Sequence, residues 1–204
     1  MKGSGFLQPR DPTKDLLVPG RTCGSCSLCC KVLQIDELQK PVGQWCPNCA
    51  VGRGCKIYQT RPSECRTFHC AWLISPDLGE EWQPARAKFV LYSEGKANRI
   101  VAHVDPGYPT AWRAEPYYSQ LKEWARAAVD RDGQVCVYVK LRTIVILPTR
   151  DVDLGELTNG DFIIVSERRM PDGRREWDAH KKTLADIPPE ERGKWTNVRG
   201  RVPT

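Results

Sequence analysis

Thr22-Cys23-Gly24-Ser25-Cys26-Ser27-Leu28-Cys29-Cys30-Lys31 sets four thiols within eight residues, and this stretch decides how the rest of the chain is read. Cys46, Cys49, Cys55, Cys65 and Cys70 follow, so nine of the ten cysteines lie between positions 23 and 70 and only Cys136 stands apart. A hydrophobic core has no packing requirement for thiols at that density. The choice lies between a disulfide framework and metal ligation by thiolates, and the redox compartment separates the two.

The first ten residues, Met1-Lys2-Gly3-Ser4-Gly5-Phe6-Leu7-Gln8-Pro9-Arg10, contain neither an apolar h-region nor a cleavage pattern. A secretory signal is therefore not expected, and a cytoplasmic location is. The longest apolar runs, around 143–147 and 162–165, are too short for a membrane span. In a reducing cytosol, dense cysteines bind metal more often than they pair. Cys23, Cys26, Cys29, Cys30, Cys46, Cys49, Cys55, Cys65 and Cys70 are accordingly the candidate metal ligands.

Working outward, residues 1–21 are rich in Gly, Pro and charge and read as a flexible lead-in. Residues 22–84 form a cysteine-cluster module. It is poor in aliphatic periodicity, so metal bonds are expected to supply much of its folding free energy. Within it, residues 31–38 predict a short helix closed by Pro41, and Thr60 is placed to cap a second helix with Pro62 in its first turn. That second helix would set Cys65 and His69 side by side, four residues apart. Trp45, Ile57, Phe68 and Trp72 find little core inside such a module, and some of them are expected to bury against the β-rich domain.

Residues 85–204 change texture. Segments 88–93 and 98–104 read as a hairpin around Glu94-Gly95-Lys96, and 134–140, 142–147 and 161–167 as further strands, the last introduced by Asn159-Gly160. Between them, Tyr117, Leu121, Trp124, Ala125 and Ala128 recur at helical spacing behind Pro116, and Asp132-Gly133 ends the run. The order β-β-α-β-β-β predicts an α+β fold: the metal-binding module packed on a mostly antiparallel sheet with one main helix. The tail from Ile187 reads as an extended end.

The formal charge is +6 when every cysteine is counted neutral. Between positions 23 and 70, however, six basic residues (Lys31, Lys40, Arg53, Lys56, Arg61, Arg66) face three acids (Asp36, Glu37, Glu64). Four thiolates around a divalent ion carry net negative charge, so the basic excess reads as its compensation. No basic stripe with interleaved aromatics supports a nucleic-acid partner.

Two metals compete for the cluster. Cys23-x2-Cys26 and Cys46-x2-Cys49, 19 residues apart, have the spacing of paired zinc knuckles, which leaves Cys29, Cys30, Cys55, Cys65, Cys70 and His69 for a second site. Cys23-x2-Cys26-x2-Cys29 also opens like an iron-sulfur run and Cys46-Pro47 like its close, although Leu33 stands where the fourth ligand of that run would be. The adjacent thiols Cys29 and Cys30 point in different directions and call for two centres or a polynuclear one.

The pattern Cys23-x2-Cys26-x2-Cys29-Cys30, then Cys46, then Gly54-Cys55-Lys56-Ile57-Tyr58-Gln59-Thr60-Arg61-Pro62-Ser63-Glu64-Cys65-Arg66-Thr67-Phe68-His69-Cys70, resembles the bacterial YkgJ-like (CxxCxxCC) cysteine-cluster family of zinc- or iron-chelating proteins. It covers about a quarter of the chain. The resemblance implies eight ligands, Cys23, Cys26, Cys29, Cys30, Cys46, Cys55, Cys65 and Cys70, with Cys49 an addition. The flagellin lysine methylases resemble this cluster too, which implies an enzyme as the alternative, yet residues 85–204 offer no recognisable cofactor loop.

Other residues carry less. His69 is a ligand or a donor to one, Arg61 and Arg66 stabilise thiolates or the module, and His103 reads as a satisfied sheet histidine ahead of the turn Asp105-Pro106-Gly107-Tyr108-Pro109. His180 reads as part of an exposed helical turn, and Cys136 as a small buried hydrophobe. The expectation is a metal-binding protein that holds one or two zinc ions through thiolates, in a structural role or in metal handling. The alternative is an iron-sulfur protein with redox or methyl-transfer activity. Metal ions are the one partner named.

Overall fold

The computed structural model describes residues 16–158, 160–186 and 188–189. The expected lead-in (but for 16–21), Asn159 and most of the expected tail lie outside the described residues. The cysteine module contains three short helices, α1 (Cys29–Val32), α2 (Ser63–Thr67) and α3 (Ala71–Ile74), and one minimal hairpin, β1 (Cys49–Ala50) with β2 (Gly54–Cys55). A further short helix, α4 (Pro84–Ala87), leads into the sheet.

Five strands form that sheet in the order β3 (Phe89–Glu94), β4 (Arg99–Val104), β5 (Gln134–Val139), β6 (Arg142–Ile146) and β7 (Asp151–Glu156). All neighbours are antiparallel except β4 and β5, and a parallel pair needs a crossover. Helix α5 (Tyr117–Val129) supplies it, as its helical apolar spacing predicts. Pro116 is its N-cap, and the chain leaves through Asp132 in the left-handed region, with Gly133 N–H donating to Ala128 O at 2.8 Å. The mixed α+β architecture is thus as expected from the sequence.

Side chains alternate between the two faces of the sheet. On one face Phe89 meets Trp82 at 6.0 Å and Tyr117 at 5.1 Å, both edge-on, with Leu121 and Ala125 of α5 buried alongside. On the other face Tyr92 receives the edge of Phe68 from the cysteine module at 5.5 Å. That face also buries a polar row: the Arg99 guanidinium donates to Glu94, Gln134 and Tyr138, and Cys136 lies beside it at 0 % exposure. Burial pushes the Cys136 thiol up to about 12, as expected of a cysteine acting as a hydrophobe.

Besides the minimal β1–β2 hairpin, two strands of the β-rich part escaped the sequence reading. Strand β7, Asp151-Val152-Asp153-Leu154-Gly155-Glu156, is an edge rich in residues that strands usually avoid. It is held by charge: Lys122 of α5 reaches Asp151 at 2.7 Å and Arg142 of β6 pairs with Asp153. Strand β9 (Arg175–Thr183) pairs with β8 (Asp161–Arg169) along its whole length. His180, expected in a helical turn, therefore lies on β9 opposite Ile164, because Ala179 next to it turns into the core.

One contiguous hydrophobic core joins the module to the sheet, running from Leu28, Val32, Cys70, Trp72 and Leu73 to Val90, Val101 and Val145. Lys31 of α1 also reaches Asp105, just after β4, at 2.5 Å. Of the four module residues with little core of their own, Trp72 is buried, Phe68 and Ile57 are half-buried, and Trp45 stays 40 % exposed beneath the Lys31 ammonium. Among the described residues no helix is long and apolar enough to cross a membrane.

Candidate metal centre

Helices α1 and α2 and both strands of the β1–β2 hairpin carry thiols. Cys26 N–H closes on Cys23 O at 2.9 Å and Cys49 N–H on Cys46 O at 3.0 Å, so each C-x2-C segment is a tight turn. Cys46 N–H donates to Cys30 O at 2.9 Å, which sets the second turn against the end of the first motif. Gly54 makes the closest approach between them. A Cβ there would stand 2.8 Å from the carbonyl oxygen of Gly24, and its φ of +106° is one that side chains rarely adopt.

The helices predicted here differ in length. The expected helix at 31–38 is split into α1 and a single 3-10 turn (Asp36–Leu38), because Leu33 is extended and an isolated bridge joins Ile35 to Lys40. Helix α2 stops at Thr67 and Phe68 is extended, so Cys65 and His69 do not share a helical face. Thr60 belongs to a separate 3-10 turn (Tyr58–Thr60), and Pro62 is the N-cap residue. His69 Nδ1 lies 3.3 Å from Thr67 O.

All ten cysteines are free thiols. Eight of them, Cys23, Cys26, Cys29, Cys30, Cys46, Cys55, Cys65 and Cys70, line one cavity of about 940 Å³ together with His69 and Arg61. Cys49 is not on its wall. The eight are those that the sequence resemblance singles out. Among the described residues no group of three or more Cys, His, Asp or Glu side chains is arranged so that it could hold a metal ion.

The thiols influence one another across the cavity. Burial first, then Cys23 and Cys26, push the Cys70 thiol up to about 12, while the N–H groups of Leu73 and Trp72 pull the other way. Cys23 is raised by burial, by Cys26 and by Cys30, and the Arg61 guanidinium lowers it. Cys29 is raised by its hydrogen bond to Cys30, by burial, and by Cys23 and Cys26. Burial, followed by Cys30, Cys46 and Cys55, pushes Cys65 up to about 12. Cys70 thus answers to Cys23 and Cys26, and Cys65 to Cys30, Cys46 and Cys55, with Cys30 acting on both groups.

Cys30 lies at the boundary. The Cys29 thiol donates to it, which holds Cys29 well above the usual thiol range and draws Cys30 down to about 6 against the opposing effect of burial; donation from Cys49 and the charge of Lys40 assist. Cys30 is thus drawn towards the thiolate at neutral pH. Lys40 is the countercharge: it is 3 % exposed, and its ammonium donates to the carbonyls of Lys31 at 3.1 Å, of Leu33, and of Pro41 at 3.1 Å. Burial lowers the Lys40 pKa, opposed by Cys46, Cys30, Cys29 and Cys65.

Sequence reasoning counted Lys40 among six basic residues but singled out Arg61 and Arg66. Arg61 does serve a thiol. Arg66 is exposed and acts on Glu37, away from the cysteines. The feature that sequence could not supply is Trp72, a lining residue of the cavity whose buried Nε1–H has no acceptor among the described residues. An orphan donor on a wall otherwise furnished with thiols suits a ligating sulfur, which accepts hydrogen bonds from its surroundings.

No family model, curated protein or solved structure matches the chain. The resemblance to the YkgJ-like cluster therefore rests on the motif residues alone.

Proposed function

We propose that the protein binds metal through its cysteine thiolates, in two sets of four, and that zinc is the ion held. The supporting observation is the convergence of eight free thiols on one cavity; the sets we propose are Cys23/Cys26/Cys29/Cys70 and Cys30/Cys46/Cys55/Cys65, with Cys70 answering to Cys23 and Cys26, Cys65 to Cys30, Cys46 and Cys55, and Cys30 acting on both. Four sulfurs per ion is the donor set that tetrahedral zinc takes, and the softness of thiolates suits zinc better than magnesium or calcium. Bound zinc would supply cross-links that substitute for core, in the part of the chain least able to build one.

The chain's own residues prepare for that charge. Lys40 and Arg61 sit as fixed cations beside the second and first sets, and the N–H groups of Trp72 and Leu73 donate to Cys70. Protein purified without oxygen and analysed for metal should contain two zinc per chain and be colourless. Iron with acid-labile sulfide and a broad visible band would replace this reading by the iron-sulfur alternative, and a chain without metal that pairs its thiols as disulfides would end both.

A further inference from the structure

Cys49 is the one thiol of the module off the cavity wall, yet the β1–β2 hairpin fixes its position. Cys49 stands directly opposite Cys55, and Ala50 opposite Gly54. One step outward, the Lys56 N–H donates to Asn48 O at 2.8 Å, so 48/56 is a hydrogen-bonded position of the antiparallel ladder. Such positions alternate along a ladder, which makes 49/55 the non-hydrogen-bonded one, where opposed Cα atoms come closest, at about 4.5 Å. Side chains of a directly opposed pair leave the same face of the ribbon. A disulfide needs Cα atoms roughly 4.4–6.8 Å apart and Cβ atoms that face each other. The hairpin supplies both without a change of backbone.

The surroundings hold that geometry and leave it reachable. Val51, Gly52 and Arg53 form an exposed turn, closed by the Arg53 N–H on Ala50 O at 2.8 Å and tied to the module by the Gly52 N–H on the Ser27 hydroxyl at 3.3 Å. Cys49 and Cys55 are half-buried beside it, whereas Cys46 and Cys70 are buried. The nearest rival partner is Cys30, whose sulfur shares a hydrogen bond with Cys49, but Cys30 lies on α1 and has no place in the ladder.

We propose that Cys49 and Cys55 form a reversible dithiol–disulfide pair, a modification site oxidised by hydrogen peroxide. One thiol takes an oxygen atom from peroxide to become a sulfenic acid, with release of one water; the other thiol attacks that sulfur, forming the S–S bond and releasing a second water. Two electrons pass from the two sulfurs to the O–O bond, and a small thiol such as glutathione returns them by exchange. The bond takes Cys55 out of the thiols on the cavity wall and leaves the other seven free. The pairing depends on the ladder register and on no bound metal.

The test exposes the full chain, as purified, to graded hydrogen peroxide, blocks the remaining thiols with N-ethylmaleimide, and maps linked tryptic peptides by fragmentation. Cleavage after Lys31, Arg53 and Lys56 puts Cys46 and Cys49 in 32–53, Cys55 in 54–56 and Cys30 in 22–31. The 32–53/54–56 link should appear first, join Cys49 rather than Cys46, and disappear with dithiothreitol. Cys49→Ser should abolish it and Cys46→Ser should retain it. A first link to 22–31, a link that survives Cys49→Ser, or a Cys55 that stays maleimide-labelled while other thiols oxidise would each overturn the proposal. The wild-type map decides without any variant, and metal analysis of the same sample reports on the zinc reading separately.

Discussion

Lys40→Met separates the electrostatics of the metal centre from its packing, because methionine retains most of the volume and none of the charge. Two opposing effects act on the metal-free protein. Three hydrogen bonds from a charged donor to Lys31 O, Leu33 O and Pro41 O disappear, each a net contribution of about 1.5–3 kcal/mol. Against this, removing a buried ammonium relieves a desolvation cost of roughly several kcal/mol. The two largely offset, leaving a destabilisation of about 1–2 kcal/mol, ordinary for a point substitution.

The metal-loaded state behaves differently. A quartet of thiolates around a divalent ion carries a net charge of −2, and a neighbouring cation at an effective dielectric of about 20 contributes on the order of a few kcal/mol. Solvent at the cavity mouth reduces the sum to about 2–3 kcal/mol, so zinc affinity should fall about 30- to 150-fold. The pH dependence has a definite sign. Metal binding releases thiol protons, so loading increases with pH. Lys40 is among the groups that draw Cys30 down to about 6, so its loss must move the midpoint of loading to higher pH. Competition titration against a chelator from pH 5 to 9 measures both effects. Affinity within threefold of wild type at every pH, in a variant shown to be folded, would refute the role given to Lys40.

Three further outcomes follow from the same contacts. Stripping metal should lower hydrogen-exchange protection in β3 and β4 as well as in residues 22–84, because Phe68 packs on Tyr92 and the hydrophobic core is shared; unchanged protection in both strands would show two independent units. A double-mutant cycle of Lys31→Met and Asp105→Asn should give a coupling of about 1–3 kcal/mol in chemical denaturation, since the pair is mostly shielded from solvent and ties α1 to the end of β4; additivity within error would count against it. Cys136→Ser should leave zinc stoichiometry unchanged and cost about 1–2 kcal/mol, the hydroxyl being placed in the core beside Arg99, and any loss of metal would contradict its separation from the centre.

Much of the chain was legible in its residues because the signals are local. The periodicity of Tyr117, Leu121, Trp124, Ala125 and Ala128 makes α5, and the β-branched and aromatic runs make β3, β4, β5 and β6. The eight thiols lining the cavity are those of the CxxCxxCC-type pattern, since their spacing is what tight turns require. Where neighbours in space decide, sequence alone was silent or misleading. Strands β7 and β9 are polar and acquire their conformation from pairing with β6 and β8, and His180 is extended for that reason. The knuckle spacing treated Cys46 and Cys49 alike, whereas only Cys46 lines the cavity, and Cys70 arrives from the far end of the module to come under the influence of Cys23 and Cys26. Composition alone established a surplus of cations for a cluster of thiolates. Only the fold selected Lys40, by burying its ammonium on three carbonyls where no counterion from solvent can replace it.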